Sequence, residues 1–240
     1  MGDMGTVGQA ARATSLLIIN PNTNVRVTDN IRAAVQRIIG PATRALVLNP
    51  SAGPFAIENE QHREAAEPHV VDLVRGSHAT RHDAYVLSAF DDIGLSRARA
   101  LTRAPVVGAV EAGIAAARTM ARRFAVVTTV EAALPGIREQ LRRHGAADMA
   151  SVRAAGIGVT EAADRGYAAR QCLLRSIYLA VHEDGAEAIL LGSGGLTGWT
   201  DLLQDETDVP IIDGVLAAVK MAEAFANLCP LGQEDEITAT

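Results

Sequence analysis

The chain has 240 residues, of which 48% are hydrophobic, 3% aromatic and 21% charged. This size and composition suit one large globular unit or two small domains, and they exclude a chain that is as a whole a coiled coil or disordered. Twenty-two Lys and Arg against 28 Asp and Glu give a formal net charge of −6, so the chain lacks the excess of cations that nucleic acid or an anionic bilayer attracts.

From Ser15 onward, short β-branched runs alternate with stretches rich in Ala, Arg and Glu that have helical periodicity. The predicted buried strands, in chain order, are residues 16–20, 44–48, 84–88, 106–108, 124–128, 188–192 and 210–212. Strands that alternate with helices in this way predict a parallel α/β sheet. The basic run Arg142-Arg143-His144 before Gly145 predicts a helix end, because cations and a following glycine both favour a helix C-terminus.

The second half of the chain repeats the plan of the first half. The segments from Ala84 and from Ala188 each read as a strand, a Gly-Leu loop, a helix, a short strand led by proline, and an Ala-rich helix. Pro105 aligns with Pro210, and Ala89 aligns with Ser193, at nearly the same offset. We therefore predict an α/β protein of two similar lobes, each a parallel sheet flanked by helices, related by a pseudo-twofold axis with a ligand cleft between them.

The predicted lobe limits follow from this repeat. The first lobe comprises residues 15–112 plus 213–230, and the second comprises residues 113–212. Residues 1–14 are predicted to be a flexible leader and residues 231–240 a flexible tail.

Parallel sheets bind ligands beyond the carboxyl ends of their strands. If the lobes face each other, the loops at 20–24, 51–54, 88–90, 128–129 and 192–195 line one shared cleft. Their small, hydroxylic, amide-bearing or glycine residues leave backbone N–H groups accessible, which suits a small carboxylate or imide-like anion. The alternative is that these residues only build turns and caps. The candidate ligand-binding residues are Asn20, Pro21, Ser88, Phe90, Thr128, Thr129, Gly192 and Gly194.

Seven motifs occur in a specific order. They are LLIINPNTN at 16–24, SAGPFAIE at 51–58, LSAFDDIGL at 87–95, APVVGAVEA at 104–112, VVTT at 126–129, LLGSGGLTG at 190–198 and VPIIDGVLAAVKMAEA at 209–224. In order and spacing they resemble the aspartate/glutamate/hydantoin racemase superfamily, and within it the hydantoin and allantoin racemase branch, from about Leu16 to Leu228.

The resemblance implies two lobes of similar fold, a homo-oligomer, no metal and no organic cofactor. It also implies proton transfer at a carbon alpha to a carbonyl of a small-molecule substrate, which inverts that carbon. One cysteine from each lobe flanks the carbon, and one thiolate removes the proton while the opposite thiol returns one. Thiols suit this task because surrounding N–H dipoles lower their pKa from an ordinary value of about 8.5.

The chain departs from this pattern at both cysteine positions, which align with Ala89 and Ser193. Alanine transfers no proton, and a serine hydroxyl is a weak base unless a neighbour activates it. Ser193 is predicted to act instead as a hydrogen-bond donor to a developing enolate oxygen. The two cysteines present, Cys172 and Cys229, are predicted to be structural. Racemisation by two thiols is therefore not expected of the chain as written.

Three explanations stay open at this point. In the first, the chain is a racemase whose cysteines have been replaced. In the second, it is a natural relative with other chemistry, such as the decarboxylases of the same superfamily. In the third, it is a binder without catalysis. A replacement acid or base would have to come from Glu58, Asp91, Asp92, Glu111 or Asp213. Of these, Glu58, Asp92 and Asp213 are predicted to orient loops and cap helices.

The cellular setting follows from cysteine usage and hydropathy. The two cysteines stand in no CxxC motif and no zinc-ligand spacing, which favours a reducing compartment. No apolar run approaches the ~18 residues that span a bilayer, and the first residues lack the apolar segment of a signal peptide. We expect a cytoplasmic protein with neither nucleic acid nor membrane as a partner.

Overall fold

The computed structural model describes residues 13–228. Residues 1–12 and 229–240 lie outside the described part, and with them most of the predicted leader, the whole predicted tail and Cys229. Between residues 13 and 228, no helix is both long enough and apolar enough to pass through a bilayer.

The first half of the described chain alternates strands with helices. Its elements are β1 (Thr14–Ile19), α1 (Val25–Ile38), β2 (Thr43–Leu48), α2 (Glu60–Gly76), β3 (Ala84–Leu87), α3 (Leu95–Leu101), β4 (Val106–Gly108) and α4 (Ala109–Met120). Asn24 caps the start of α1, where its side-chain oxygen accepts a hydrogen bond from the Arg26 amide.

The second half has the same alternation. Its elements are β5 (Phe124–Thr128), α5 (Leu134–Arg143), β6 (Ala150–Ala154), α6 (Val159–Asp164), α7 (Tyr167–His182), β7 (Ala188–Leu191), α8 (Thr200–Leu203), β8 (Ile211–Asp213) and α9 (Gly214–Leu228). Helix α5 ends at Arg143, and Gly145 has a φ of 61°, which confirms the helix end predicted from the basic run. A short 3-10 helix over Gly194–Leu196 follows β7.

The two halves form two parallel four-stranded sheets with the same strand order. The first sheet is ordered β2-β1-β3-β4 and the second β6-β5-β7-β8. Leu16 pairs with Ala84 in the first sheet, and Phe124 pairs with Ala188 in the second, so equivalent strands stand side by side. The predicted architecture of two similar α/β lobes is confirmed.

Strand β6 was missing from the prediction. All five of its residues are half-exposed, and it lies at the edge of the second sheet. Its sequence, ASVRA, places Ser151 and Arg153 where a buried strand would carry apolar residues. Asn20, Ser88 and Gly192, predicted to end strands, lie just beyond them and begin the loops that follow.

Helices α4 and α9 join the halves. Helix α9, at the end of the described chain, packs back against β1, β3 and β4 of the first sheet and along α4. The two helices come close because Gly113 has no side chain. A Cβ atom at this position would lie 3.2 Å from the Gly214 Cα atom. This packing returns the end of the chain to the first lobe, while the lobe limits as such stay a prediction.

Candidate functional site

A cavity of about 470 Å³, its open mouth included, lies at the carboxyl ends of the central strands of both sheets. The first lobe contributes Asn20, Pro21, Asn22, Ser88, Ala89 and Phe90 to its wall, and the second contributes Thr128, Thr129, Gly192, Ser193, Gly194 and Gly195. The structure thus brings all ten predicted site residues, including positions 89 and 193, to one cavity. What each of them does to a ligand stays a prediction.

The 51–54 segment does not line this cavity, so that expectation was wrong. Ser51, Ala52 and Gly53 are exposed, and Pro54 accepts hydrogen bonds from Thr23 through its carbonyl oxygen. From the same connection, Ile57 reaches the cavity instead. The segment serves to hold the first loop.

Sequence reasoning also missed an apolar part of the wall. It consists of Ile57, Val130, Ala133, Ile137 and Val159. The only signal these residues give is apolar periodicity, and that pattern does not separate a core face from the wall of a cavity.

The asparagines of the first loop bond mainly to the loop itself. Asn20 is 1% exposed, and its Nδ2 atom donates to Asn22 Oδ1 at 3.0 Å and to Thr28 Oγ1 at 3.0 Å. Asn22 Oδ1 also accepts from the Asn24 amide at 3.0 Å. For these amides the turn-and-cap interpretation applies, and their contribution to the cavity is a fixed, polar surface.

Two of the three buried hydroxyls at the strand ends, those of Ser88 and Thr128, donate to main-chain carbonyls. Ser88 Oγ donates to the Ile19 carbonyl at 2.9 Å, and Thr128 Oγ1 donates to the Gly192 carbonyl at 2.8 Å. Because each hydroxyl proton is already used, each oxygen presents lone pairs to the cavity. These positions therefore suit a ligand N–H group rather than a ligand carbonyl.

The loops that carry positions 89 and 193 touch each other. A Cβ atom added at Gly194 would lie 2.7 Å from the Ser88 carbonyl oxygen and 3.9 Å from the Ala89 Cα atom. Ser193 Oγ accepts a hydrogen bond from the Gly195 amide at 3.3 Å, which leaves the hydroxyl proton of Ser193 to donate elsewhere. The two positions thus face a common space from opposite lobes.

Phe90 is a core side chain as well as a wall of the cavity. It is 4% exposed and belongs to the apolar cluster that contains Val110 and Leu190. Its ring packs against Gly214, and a Cβ atom added at Gly214 would lie 3.2 Å from the ring. The predicted role of Phe90 in ligand binding stays a prediction.

Three of the five candidate carboxylates cap helices, as predicted. Asp92 accepts the Val110 amide at 2.9 Å, and Asp213 accepts the Gly198, Val215 and Leu216 amides at 2.7, 3.0 and 3.1 Å. Glu58 accepts the Val159 amide at 2.9 Å and so joins the first lobe to α6 of the second. Burial raises the pKa of Asp92 to about 7 and that of Asp213 to about 6, against the lowering effect of these amides.

Of the other titratable candidates, only Asp91 reaches the cavity. Glu111 accepts the Gly108 amide and pairs with Arg99, outside the wall. Cys172 is half-buried in α7, also outside the wall. Across residues 13–228, no three His, Cys, Asp or Glu side chains converge as metal ligands would.

Comparison with known proteins gives matches over most of the chain. The sequence model of the Asp/Glu/hydantoin racemase family matches residues 16–222. A hydantoin racemase from Rhizobium meliloti is 38% identical over 209 residues, 87% of each chain, and one from Paenarthrobacter aurescens is 35% identical over 89% of this chain and 91% of its own. The structure of an allantoin racemase from Klebsiella pneumoniae superposes with a TM-score of 0.87 at 35% identity, over 90% of this chain and 88% of that one.

Proposed function

Because the chain belongs to the Asp/Glu/hydantoin racemase family, we propose that it binds a small hydantoin-like or amino-acid-derived carbon acid between its two lobes. We further propose that it does not invert this ligand by the exchange of protons between two thiols. The ligand is held by hydroxyl and backbone groups, and no metal or organic cofactor takes part.

One observation carries the proposal. Ala89 and Ser193, which the resemblance aligns with two catalytic cysteines, line the same cavity from opposite lobes. A carbon acid placed between them has one of these positions on each face. Neither side chain titrates near neutral pH, so the two-base reaction lacks both of its bases.

The polar groups of the cavity suit a ligand of the proposed kind. Ser88 and Thr128 offer oxygen lone pairs to ligand N–H groups, and Ser193 keeps a hydroxyl proton for a carbonyl or enolate oxygen. A hydantoin ring carries both N–H donors and carbonyl acceptors.

Two measurements on the purified protein test the proposal. An enantiopure 5-substituted hydantoin is expected to raise the thermal midpoint of unfolding, because a ligand that binds only the folded state stabilises it. Chiral chromatography is expected to show inversion no faster than in buffer. Inversion well above the buffer rate would contradict the loss of racemisation, and carbon dioxide release from a disubstituted malonate would favour the decarboxylase alternative.

A pair of variants localises the binding. Ala89→Leu fills the cavity at a position that is 8% exposed, and we expect it to abolish the thermal shift. Ala132→Leu makes the same change at an exposed residue and should keep the shift. If both variants keep the shift, the ligand binds elsewhere.

Cytoplasmic location and assembly into a homo-oligomer belong to the same proposal. Light scattering after size-exclusion chromatography measures the assembly directly.

A further inference from the structure

Asp91 is the one ionisable side chain among the described residues that line the cavity. The rest of the wall is made of asparagine, serine, threonine, glycine, proline, alanine and apolar residues. A carbon acid bound there meets a single group that gains or loses a proton near neutral pH.

Both lobes hold Asp91 in place. It follows Ala89 by two residues in the loop after β3, and its side chain is 17% exposed. Its Oδ1 atom lies 3.4 Å from Arg63 Nη1 on α2 of the first lobe. Its carbonyl oxygen accepts a hydrogen bond from Gln140 Nε2 on α5 of the second lobe at 3.3 Å. Asp91 therefore lies between the lobes, in the loop that carries position 89, and its carboxyl lies beside Arg63.

Asp91 also borders an outer groove, so it stands where the cavity meets solvent. This position gives a carboxyl a route for proton exchange with water. The charged or titratable groups that face this groove are Arg63, Glu60, Glu64 and Glu67 from α2, Arg143 and His144 from the end of α5, and Asp92 from the same loop.

The pKa of Asp91 suits a group that transfers protons near neutral pH. Burial raises its pKa to about 6, and the nearby Arg63 guanidinium opposes this rise. A general base works best when its pKa lies near the working pH, because it is then ionised and still basic.

We propose that the Asp91 carboxylate is the proton-transferring group of this cavity. A carboxylate oxygen takes the proton from the carbon alpha to the ligand carbonyl. The C–H bond breaks, an O–H bond forms on Asp91, and the electron pair moves onto the carbonyl oxygen as an enolate. The same carboxyl, after exchange with solvent, returns a proton to that carbon. No co-reactant is needed.

The stereochemical consequence separates this reaction from racemisation. One carboxyl reaches the carbon from one face, so the proton leaves and returns on the same face. The α-hydrogen therefore exchanges with solvent while the configuration is retained. This inference rests on the proposed function, since it needs the carbon acid to bind in this cavity.

The test follows an enantiopure 5-substituted hydantoin in D2O by proton NMR and by chiral chromatography. The wild-type chain should exchange the α-proton faster than buffer, with retention. Asp91→Asn should slow the enzyme-dependent exchange by about 10²-fold or more, in line with the usual contribution of a general base. It should keep the thermal shift given by the same hydantoin. Glu64→Gln removes a carboxyl from the groove alone and should change neither readout.

The pH profile adds a readout that a structural role would not move. Exchange needs the ionised carboxyl, so its rate should rise through pH 6 and level off above it. Arg63→Gln removes the cation that lowers the pKa of Asp91, so the midpoint of this rise should move to higher pH.

Each outcome decides between the two proposals. A thermal shift without enzyme-dependent exchange would overturn the role of Asp91 and leave the binding proposal standing. Exchange that persists in Asp91→Asn with an unchanged profile would overturn that role as well. The lack of both thermal shift and exchange would overturn the proposed function, and the inference with it.

Discussion

At the scale of single residues, Gly194 sets how closely the two lobes meet. Its Cα atom packs against the main chain of the Ser88-Ala89 loop, and a Cβ atom there would lie 2.7 Å from the Ser88 carbonyl oxygen. A backbone atom moves out of the way only if its whole loop moves. The absence of a side chain at 194 is therefore a condition for the close contact between the loops that form the cavity.

Gly194→Ala should accordingly lower the free energy of unfolding by about 1–3 kcal/mol, the usual cost of overpacking a tight site. Urea denaturation measures this change. Gly76→Ala is the matched control, because the backbone there is helical and, apart from the surrounding helix backbone, no described atom lies within 4 Å of the added methyl group. That control should gain about 0.4–1 kcal/mol from a less flexible unfolded chain. Equal effects of the two variants would show that the loops do not touch as described.

The residue scale also shows where prediction from sequence ends. The ten candidate site residues could be found because small polar residues after buried strands mark the binding end of a parallel sheet. The distinctive feature of Asp91 could not be found. The helix cap formed by Asp92 was predicted, but nothing in the sequence indicated that the neighbouring Asp91 lines the cavity. That placement depends on the path of the loop.

At the scale of secondary-structure elements, the edge strand β6 depends on a side-chain clamp. Arg153 on β6 donates from Nε and Nη2 to the two carboxylate oxygens of Asp184, at 2.7 and 2.6 Å. Both side chains are about one quarter exposed or less, at 24% and 21%. The pair links β6 to the turn after α7. Strand β6 itself lacks an apolar run that would anchor it in the core.

Asp184→Asn should cost about 1 kcal/mol of stability at pH 7, a value reduced for the partial exposure of the pair. The hydrogen bond from Arg153 holds the pKa of Asp184 below its ordinary value. A carboxyl with a lowered pKa stabilises the fold above its unfolded pKa, and this contribution disappears as the pH falls through the folded value. The cost of the substitution should therefore shrink when urea denaturation is repeated near pH 3.

The matched control for this prediction is Asp72→Asn. Asp72 pairs with Arg75 on the surface of α2, where the two side chains are 64% and 55% exposed. Exposed pairs contribute little, so this variant should stay within about 0.5 kcal/mol of the parent at both pH values. A loss in Asp184→Asn that does not depend on pH would contradict the role given to the ionised clamp.

The same strand explains why the sequence-based prediction of elements was incomplete. Buried strands such as Leu16 to Ile19 are continuous apolar runs because both faces of a parallel sheet are covered. Strand β6 has one neighbour and half-exposed residues, so its sequence needs no such run. Its pairing with β5 is set by the repeat of the first lobe, in which β2 holds the equivalent edge.

At the scale of the whole molecule, the duplicated plan determines where the cavity lies. Equal strand orders put the ends of β3 and β7 in equivalent places, so the residues just after them, at 88–89 and 192–193, meet across the lobe boundary. The repeat predicts this arrangement only on the assumption that the two lobes face each other. The apolar wall from α5 and α6 could not be predicted, because it depends on how those helices lie over the cavity.

The cavity geometry predicts that thiols placed at both positions would restore inversion. In Ala89→Cys with Ser193→Cys, one thiol comes from each lobe and faces the same bound carbon. We expect this double variant to invert an enantiopure 5-substituted hydantoin at least ~10²-fold faster than either single variant, because inversion needs a base on one face and an acid on the other. Chiral chromatography at a pH near the thiol pKa measures the rate.

The single variants make this prediction specific. The single and double variants are compared in the Asp91→Asn background, so that Asp91 does not act as a second base. There Ala89→Cys alone and Ser193→Cys alone each place a thiol on one face, and each should exchange the α-proton in D2O with little inversion. Both cysteines are needed only if positions 89 and 193, which line the same cavity, lie on opposite sides of one ligand. A folded double variant that binds the hydantoin and inverts it no faster than the singles would therefore show that the ligand does not sit between these positions.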